Sequence, residues 1–167
     1  RLQGIVFSWF IAGLLLLLLF PQKKSFELDF LDVGQGDGIY LCTGGGTSMF
    51  IDGGSTDVKQ VGKYRILPFL KAKGVSEISY WFVSHTDTDH VSGLKEVLVS
   101  GYRVEYLVFA KAVEKEAKTK ELAELARSHG TKVLYMQAGD TVRSKRAAMR
   151  CLYPKASDKA EDVNDLC

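Results

Sequence analysis

The run ISYWFVS, residues 78–84, constrains the fold of this chain more than any other stretch. It is almost continuously apolar and aromatic, and it has the length of a strand that is buried on both faces. The rest of the chain therefore has to supply the strands that extend this sheet and the helices that cover it.

Strand patterns precede this run and alternate with helical patterns after it. FELDFLDV (26–33) alternates apolar and acidic side chains, and three glycines at 44–46 permit a hairpin turn between the strands GIYLC and TSMFID. We predict helices over residues 65–74, 93–100 and 113–128, and further strands over residues 104–110, 132–136 and 147–153. Hairpin strands followed by strands that alternate with helices indicate an α/β layered fold with helices on the outer face of a sheet.

The first twenty residues have a different character. Ile5 to Phe20 is an uncharged run of 16 residues, close to the roughly 20 that a membrane-spanning helix needs. A signal peptide is the rival interpretation, but PQKK follows the run where a cleavage site of small residues would be expected. We predict a transmembrane helix over residues 1–22 and a separate domain over residues 25–167.

The charge of the chain is nearly balanced. Its 22 Lys and Arg against 20 Asp and Glu give a net charge of +2, which excludes a protein that coats polyanions with its whole surface. Any contact with nucleic acid has to come from local patches.

The loop HTDTDH, directly after the apolar run, concentrates ligand-type side chains. In extended backbone His85, Asp87 and Asp89 project to one side, and a turn at the start of the next helix can bring His90 to them. Imidazole and carboxylate together are ligands of zinc, manganese and iron. The alternative is that Asp89 caps the next helix while the histidines are solvated, but it leaves the rest of the cluster unexplained. We predict a metal site formed by His85, Asp87, Asp89 and His90.

Three motifs carry a family resemblance. HTDTDHVSG resembles the HxHxDH signature of the metallo-β-lactamase fold, with Asp87 where most members have a second histidine. Together with LDVGQGDGIYL (31–41) and FIDGG (50–54), and with an apolar helix ahead of them, it resembles the metallo-β-lactamase-like domain of the ComEC family of DNA-internalisation competence proteins.

The resemblance implies an αβ/βα sandwich, of which this chain holds the N-terminal part as a metallo-β-lactamase-like hydrolase domain over residues 25–167. It also makes the helix over residues 1–22 the last of a longer membrane region. It assigns His85 and Asp87 to a first metal site and Asp89 and His90 to a second, with Asp89 also orienting the attacking water. The remaining ligands of the family would lie beyond Cys167, so the domain is expected to be truncated at its C-terminus and the fragment inactive alone. Two divalent metal ions are implied, manganese or zinc, and the oxygen ligand Asp87 favours manganese.

The same resemblance implies a function in DNA uptake. The substrate would be DNA, cleaved by a nuclease-like phosphodiesterase, and the partners would be the membrane and other competence proteins. The location would be the bacterial inner membrane with the domain on the outer face, although two lysines after the apolar run favour the inner face. The alternatives are a singly anchored hydrolase of small esters, lactams or nucleotides, and a degenerate domain without catalysis.

Two further aspartates and the glycines near them complete the candidate site. Asp37 and Asp52 either orient the ligand histidines from behind or bond their own backbone as turn residues, and the sequence does not decide between these. Because a strand follows VGQGDG, a dinucleotide-binding loop is disfavoured. Gly34, Gly36 and Gly38 are instead expected to let the chain pass close beneath the metal loop.

Overall fold

The computed structural model of the chain describes residues 2–19, 25–144, 147–155 and 157–158. An N-terminal helix, α1 (Leu2–Leu19), lies within the apolar region. Within the described residues, no helix combines the length and the apolar character that crossing a membrane requires. Arg1, residues 20–24 and residues 159–167 lie outside the described part, and the transmembrane helix over residues 1–22 stays a prediction.

The α/β fold is confirmed. In the part of the chain that the structure describes, six strands form one mixed sheet in sequence order: β1 (Glu27–Phe30), β2 (Gly38–Cys42), β3 (Ser48–Asp52), β4 (Glu77–Val83), β5 (Arg103–Ala110) and β6 (Lys132–Met136). The first three strands are antiparallel neighbours, as the hairpin pattern predicts, and β3 to β6 are parallel.

Helices cover one face of this sheet. A π-helical turn (Gly62–Ile66) leads into α2 (Leu67–Ala72), and α3 (Thr88–Val99) and α4 (Ala117–Ser128) follow β4 and β5. The core beneath them is apolar; Trp81 of β4 stacks on Phe50 of β3 with 4.4 Å between ring centroids, and Leu94 of α3 is fully buried. Parallel strands with helical connections on one side give this layered arrangement.

A two-stranded hairpin lies against the opposite face. β7 (Thr141–Arg143) pairs with β8 (Ala148–Arg150), and Val142 packs with Val108 and Met136 of the main sheet. A mostly apolar cavity of about 200 Å³ remains between this region and the sheet. The predicted strand over residues 147–153 is shorter in the structure, and its partner β7 was not predicted.

Several predicted boundaries move. The first strand ends at Phe30 instead of residue 33, although the Leu31 N–H still bonds to Gly38 O. The helix predicted over 113–128 begins at Ala117, after a short 3₁₀ turn, Lys111–Val113. The helix predicted over 93–100 begins five residues earlier, at Thr88, which changes the geometry of the metal loop.

Candidate metal centre

Three loops meet at one edge of the sheet. Because β3 and β4 are parallel, Asp52 at the end of β3 and Ser84 just after β4 lie at the same edge. The antiparallel partner β2 begins there, with Gly38 opposite Asp52, so the loop before β2 arrives at the same place. This topology brings LDVGQGD, FIDGG and SHTDTDH together.

The metal loop is shorter than the sequence predicts. The extended backbone stops at Asp87 (φ −75°, ψ 159°), and α3 begins at Thr88, so Asp89 and His90 lie in its first turn. The prediction that His85, Asp87 and Asp89 align along extended backbone is therefore wrong. An aspartate before the helix and an acidic residue in its first turn both favour a helix start at this point.

Three of the four predicted ligands nevertheless converge. One ligand atom from each of His85, Asp89 and His90 lies within 4.8 Å of the other two. The two imidazole rings are 3.6 Å apart between centroids, and Asp89 Oδ2 is 3.6 Å from His90 Nε2. This set of imidazoles and a carboxylate fits a divalent metal ion.

Asp52 supports the cluster from the buried side. Its residue is 4 % exposed, and Oδ2 lies 3.0 Å from His90 Nδ1. Its other oxygen accepts the Ser84 N–H at 2.8 Å, and Trp81 Nε1 donates to the Asp52 carbonyl. Asp52 itself has a positive φ of 57°, a conformation that aspartate tolerates better than most residues. The carboxylate thus contacts a ligand histidine, which fits the orienting alternative.

Asp37 lies on the open side of the same histidine. Its side chain is 61 % exposed, and Oδ2 is 3.7 Å from His90 Nδ1. Asp37, Asp52 and His90 form a second group whose ligand atoms lie within 4.8 Å of one another. The Asp37 N–H also donates to Asp89 O at 3.2 Å, which joins the LDVGQGD loop to the start of α3.

Glycines permit this close approach. A Cβ on Gly36 would meet the backbone oxygens of Gly54 and Asp89, and a Cβ on Gly54 would meet the Thr88 carbonyl oxygen. The expectation that the glycine-rich loop passes close to the metal loop is confirmed at Gly36. The signal for Gly54 is its place in FIDGG, which sequence reasoning left without a role.

Asp87 lies apart from the convergent group. Its carboxylate pairs with Lys118 of α4, with Oδ1 2.9 Å from Nζ. It makes no side-chain bond that caps α3, although it precedes that helix. The assignment of Asp87 to a metal site stays a prediction.

Ser84 is a functional residue that sequence reasoning missed. Its hydroxyl donates to Asp52 Oδ2 at 2.8 Å and lies 3.1 Å from His85 Nδ1 and 3.3 Å from His90 Nδ1. The available signal was only its position between the buried strand and His85. His129, by contrast, ends α4, where its Nδ1 lies 2.9 Å from Leu125 O.

Asp57 braces two of the loops. Its Oδ1 accepts the Gln35 N–H and the Ser55 hydroxyl, both at 2.8 Å. The Gln35 N–H, and after it the Ser55 hydroxyl, hold the pKa of the Asp57 carboxyl below its usual value. Ser55 in turn contacts α3, because its N–H donates to Ser92 Oγ at 3.0 Å.

Known proteins are similar to the chain in sequence. ComE operon protein 3 of Bacillus subtilis is 29% identical over 163 residues, which cover 89% of this chain. Recombination protein 2 of Haemophilus influenzae is 32% identical over 93 residues, or 54% of this chain. The resemblance to ComEC-type competence proteins is confirmed. The chain spans only 21% and 12% of these two ComEC-type relatives, and no family model matches it.

Among solved structures, metallo-β-lactamases are similar to this chain. A HARLDQ motif mutant of the Cronobacter sakazakii enzyme has a TM-score of 0.49 at 16% identity, covering 70% of this chain and 47% of that one. The Hirschia baltica enzyme has a TM-score of 0.39 at 15% identity, with 72% and 57% covered.

Proposed function

We propose that this chain is part of a ComEC-type DNA-uptake protein and forms the N-terminal part of a metal-dependent, nuclease-like phosphodiesterase domain. The convergence of His85, Asp89 and His90 in front of the buried Asp52 carries the proposal. A buried carboxylate behind a ligand histidine is the usual support of a catalytic metal, and a solvated loop does not need one.

The fold that we propose for the complete domain is the αβ/βα sandwich. The sheet described here has helices on one face only, and the opposite face carries Tyr80, Phe82 and Tyr106, packed only in part by the β7–β8 hairpin. A second sheet on that face would bury these half-buried side chains. We place that sheet beyond residue 158, in the rest of the domain.

Two divalent metal ions are proposed as cofactors. His85 and Asp87 would hold the first ion, and Asp89 and His90 the second, with ligands from the rest of the domain. Such ions polarise a phosphoryl oxygen and lower the pKa of water, which is the chemistry that phosphodiester cleavage requires. Asp87 in place of an imidazole favours manganese over zinc.

The residues of this chain then have separate tasks. Asp52 accepts from His90 Nδ1–H, which directs Nε2 of the ring toward Asp89. Asp37 is exposed at the mouth of the site, and its N–H donates to the Asp89 carbonyl oxygen. This hydrogen bond keeps the Asp37 carboxylate close to His90. Asp89 is the proposed catalytic residue, since its partly exposed carboxylate can hold the attacking water and accept its proton.

Membrane attachment through α1 is part of the proposal. The run Ile5 to Phe20 is uncharged, and the side chains of Phe7, Trp9 and Phe10 are at least 65% exposed, which suits an apolar surrounding. We place the protein in the bacterial inner membrane with the hydrolase domain on the outer face, where incoming DNA and other competence proteins would reach it.

The test is DNA cleavage by the purified full-length protein with Mn²⁺. Wild type is compared with His85→Ala, which removes one convergent ligand, and with His129→Ala, a matched histidine variant at the exposed end of α4. We expect metal-dependent cleavage that His85→Ala abolishes and His129→Ala retains. Turnover of a small ester, lactam or nucleotide without DNA cleavage would favour the singly anchored hydrolase, and no metal-dependent turnover at all would favour the degenerate domain.

A further inference from the structure

The ion pair between Asp87 and Lys118 joins two helices at the edge of the metal centre. Asp87 immediately precedes α3, and Lys118 is the second residue of α4. Their charged atoms are 2.9 Å apart, and the side chains are 42% and 70% exposed. The two residues are 31 positions apart in sequence, so the packing of α4 beside α3 creates the pair.

Local helix electrostatics do not account for this arrangement. A cation in the first turn of a helix opposes the helix dipole, and the first turn of α4 contains no acidic residue. Asp87 occupies the N-cap position of α3 yet makes no side-chain capping bond there. Each charge is therefore directed across the gap between the helices instead of toward its own helix.

The consequence for the metal centre is that Asp87 is held beside α4. Among the residues that the structure describes, His85, Asp89 and His90 form a group of ligand atoms within 4.8 Å, and Asp87 is not in it. A metal ion at the first site and the Lys118 ammonium attract the same carboxylate, and the ammonium also repels the ion.

The Lys118 side chain has an alternative position near a second carboxylate. A polar cleft between α3 and α4 is lined by Lys118 together with Thr86, Thr88, Glu121 and a second cation, Lys95. Glu121 lies three residues after Lys118 on α4, the spacing at which a helical acid and base can pair. An ammonium displaced from Asp87 thus finds another carboxylate close by.

We propose that Lys118 is a positioning residue that competes with metal for Asp87 and so weakens metal binding at the first site. This inference rests on the proposed function, because it takes Asp87 as a ligand of that site. A metal ion bound at the first site would draw the Asp87 carboxylate away from α4 toward His85. The Lys118 ammonium would then move into the cleft beside Glu121. The ion pair therefore makes the first site the weaker of the two.

The test is Mn²⁺ binding to the purified full-length protein, measured from the electron paramagnetic resonance signal of free Mn²⁺. The variants are Lys118→Met, Lys118→Arg, which keeps a cation, and Asp87→Asn. Lys120→Met is the matched control, because it removes the same charge from an exposed lysine on the same helix.

We expect Lys118→Met to raise the affinity for one of the two bound Mn²⁺ ions about two- to fivefold, the range that an exposed ion pair allows. Lys118→Arg and Lys120→Met should bind like wild type, and Asp87→Asn should lose that ion. Unchanged or weaker binding in Lys118→Met, with the ion lost in Asp87→Asn, overturns the inference and leaves the proposed ligand set intact. Retention of both ions in Asp87→Asn would overturn the inference together with the assignment of Asp87 to the first site.

Discussion

Asp52 Oδ2 lies 3.0 Å from His90 Nδ1, so a buried carboxylate at the end of β3 holds a histidine in the first turn of α3. The distance joins residues that are 38 positions apart in sequence. It fixes which ring nitrogen faces the protein and directs the other toward Asp89. In the proposed metal centre, His90 therefore depends on a residue that does not itself need to touch metal.

The first prediction concerns this carboxylate. Asp52→Asn keeps the size of the side chain but removes the charge that supports His90, so the affinity for Mn²⁺ should fall about 10- to 100-fold. Calorimetric titration of the full-length protein with Mn²⁺ measures it. Asp140→Asn is the control, since Asp140 accepts the Gln137 N–H in a surface turn. Equal affinities in the two variants would contradict the orienting role of Asp52.

The second prediction concerns Ser84. Its hydroxyl donates to Asp52 and contacts both histidine rings, whereas Asp52 keeps the Ser84 N–H and His90 when the hydroxyl is removed. Ser84→Ala should therefore weaken Mn²⁺ binding by a smaller factor, about two- to tenfold, the effect of one hydrogen bond. Ser128→Ala is the matched control, because that hydroxyl donates to Leu125 O at the end of α4. If Ser84→Ala binds metal as Ser128→Ala does, the hydroxyl does not hold the site together.

The third prediction concerns the pH dependence contributed by Asp57. Hydrogen bonds from Gln35 and Ser55 hold the pKa of its carboxyl below the usual 3.8 in the folded protein. The folded state thus binds this proton less readily than the unfolded state, and the stabilisation is present above about pH 4 and lost as the pH falls through the folded-state pKa. Carboxyl chemical shifts recorded against pH should show the Asp57 midpoint below 3.8.

Ser55→Ala provides the comparison for that titration. It removes the second of the two donors and leaves the Gln35 N–H in place, so the Asp57 midpoint should move upward but stay below the usual value. A midpoint at or above the usual value in the wild type would show that the two hydrogen bonds do not persist in solution.

The sequence predicts the order of the six strands of the main sheet and of α2 to α4, and the gathering of His85, Asp89 and His90, because both follow from local patterns. Apolar runs define the strands, and a ligand cluster after a buried strand lies at a sheet edge whatever the details of its backbone. The start of α3 at Thr88 was missed although Asp87 and Asp89 are typical of a helix N-terminus. The pattern predicts a loop through His90, and a helix start at Asp89 belongs only to its alternative interpretation.

Contacts between residues that are distant in sequence cannot be predicted from local patterns. The Asp87–Lys118 pair depends on how α4 packs beside α3. Nothing in the sequence next to either residue predicts its partner. For Asp52 the sequence leaves two alternatives open, because a carboxylate in a turn accepts hydrogen bonds from its own backbone as readily as from a distant histidine ring. Parallel pairing of β3 with β4 brings Asp52 within 3.0 Å of His90, and pairing is a property of the sheet.

The last prediction tests the close approach of the loops. A Cβ on Gly54 would meet the backbone of Thr88 to His90, where the metal-binding turn has no flexible side chain to move aside. Gly54→Ala should destabilise the domain by about 1–3 kcal/mol, the usual cost of overpacking. It should also weaken Mn²⁺ binding about tenfold or more, since the displaced backbone carries Asp89 and His90.

Gly101→Ala separates this steric effect from backbone strain. Gly101 has a φ of +77° with open space around its Cβ position, so alanine there is strained but displaces no neighbour. It should cost about 1–2 kcal/mol, the penalty of left-handed backbone, and leave Mn²⁺ binding unchanged. Thermal unfolding and Mn²⁺ titration of both variants give the comparison. If both variants lose stability but only Gly54→Ala loses Mn²⁺ binding, the FIDGG turn shapes the metal centre through its backbone. Normal Mn²⁺ binding by Gly54→Ala would mean that the loops do not need this contact.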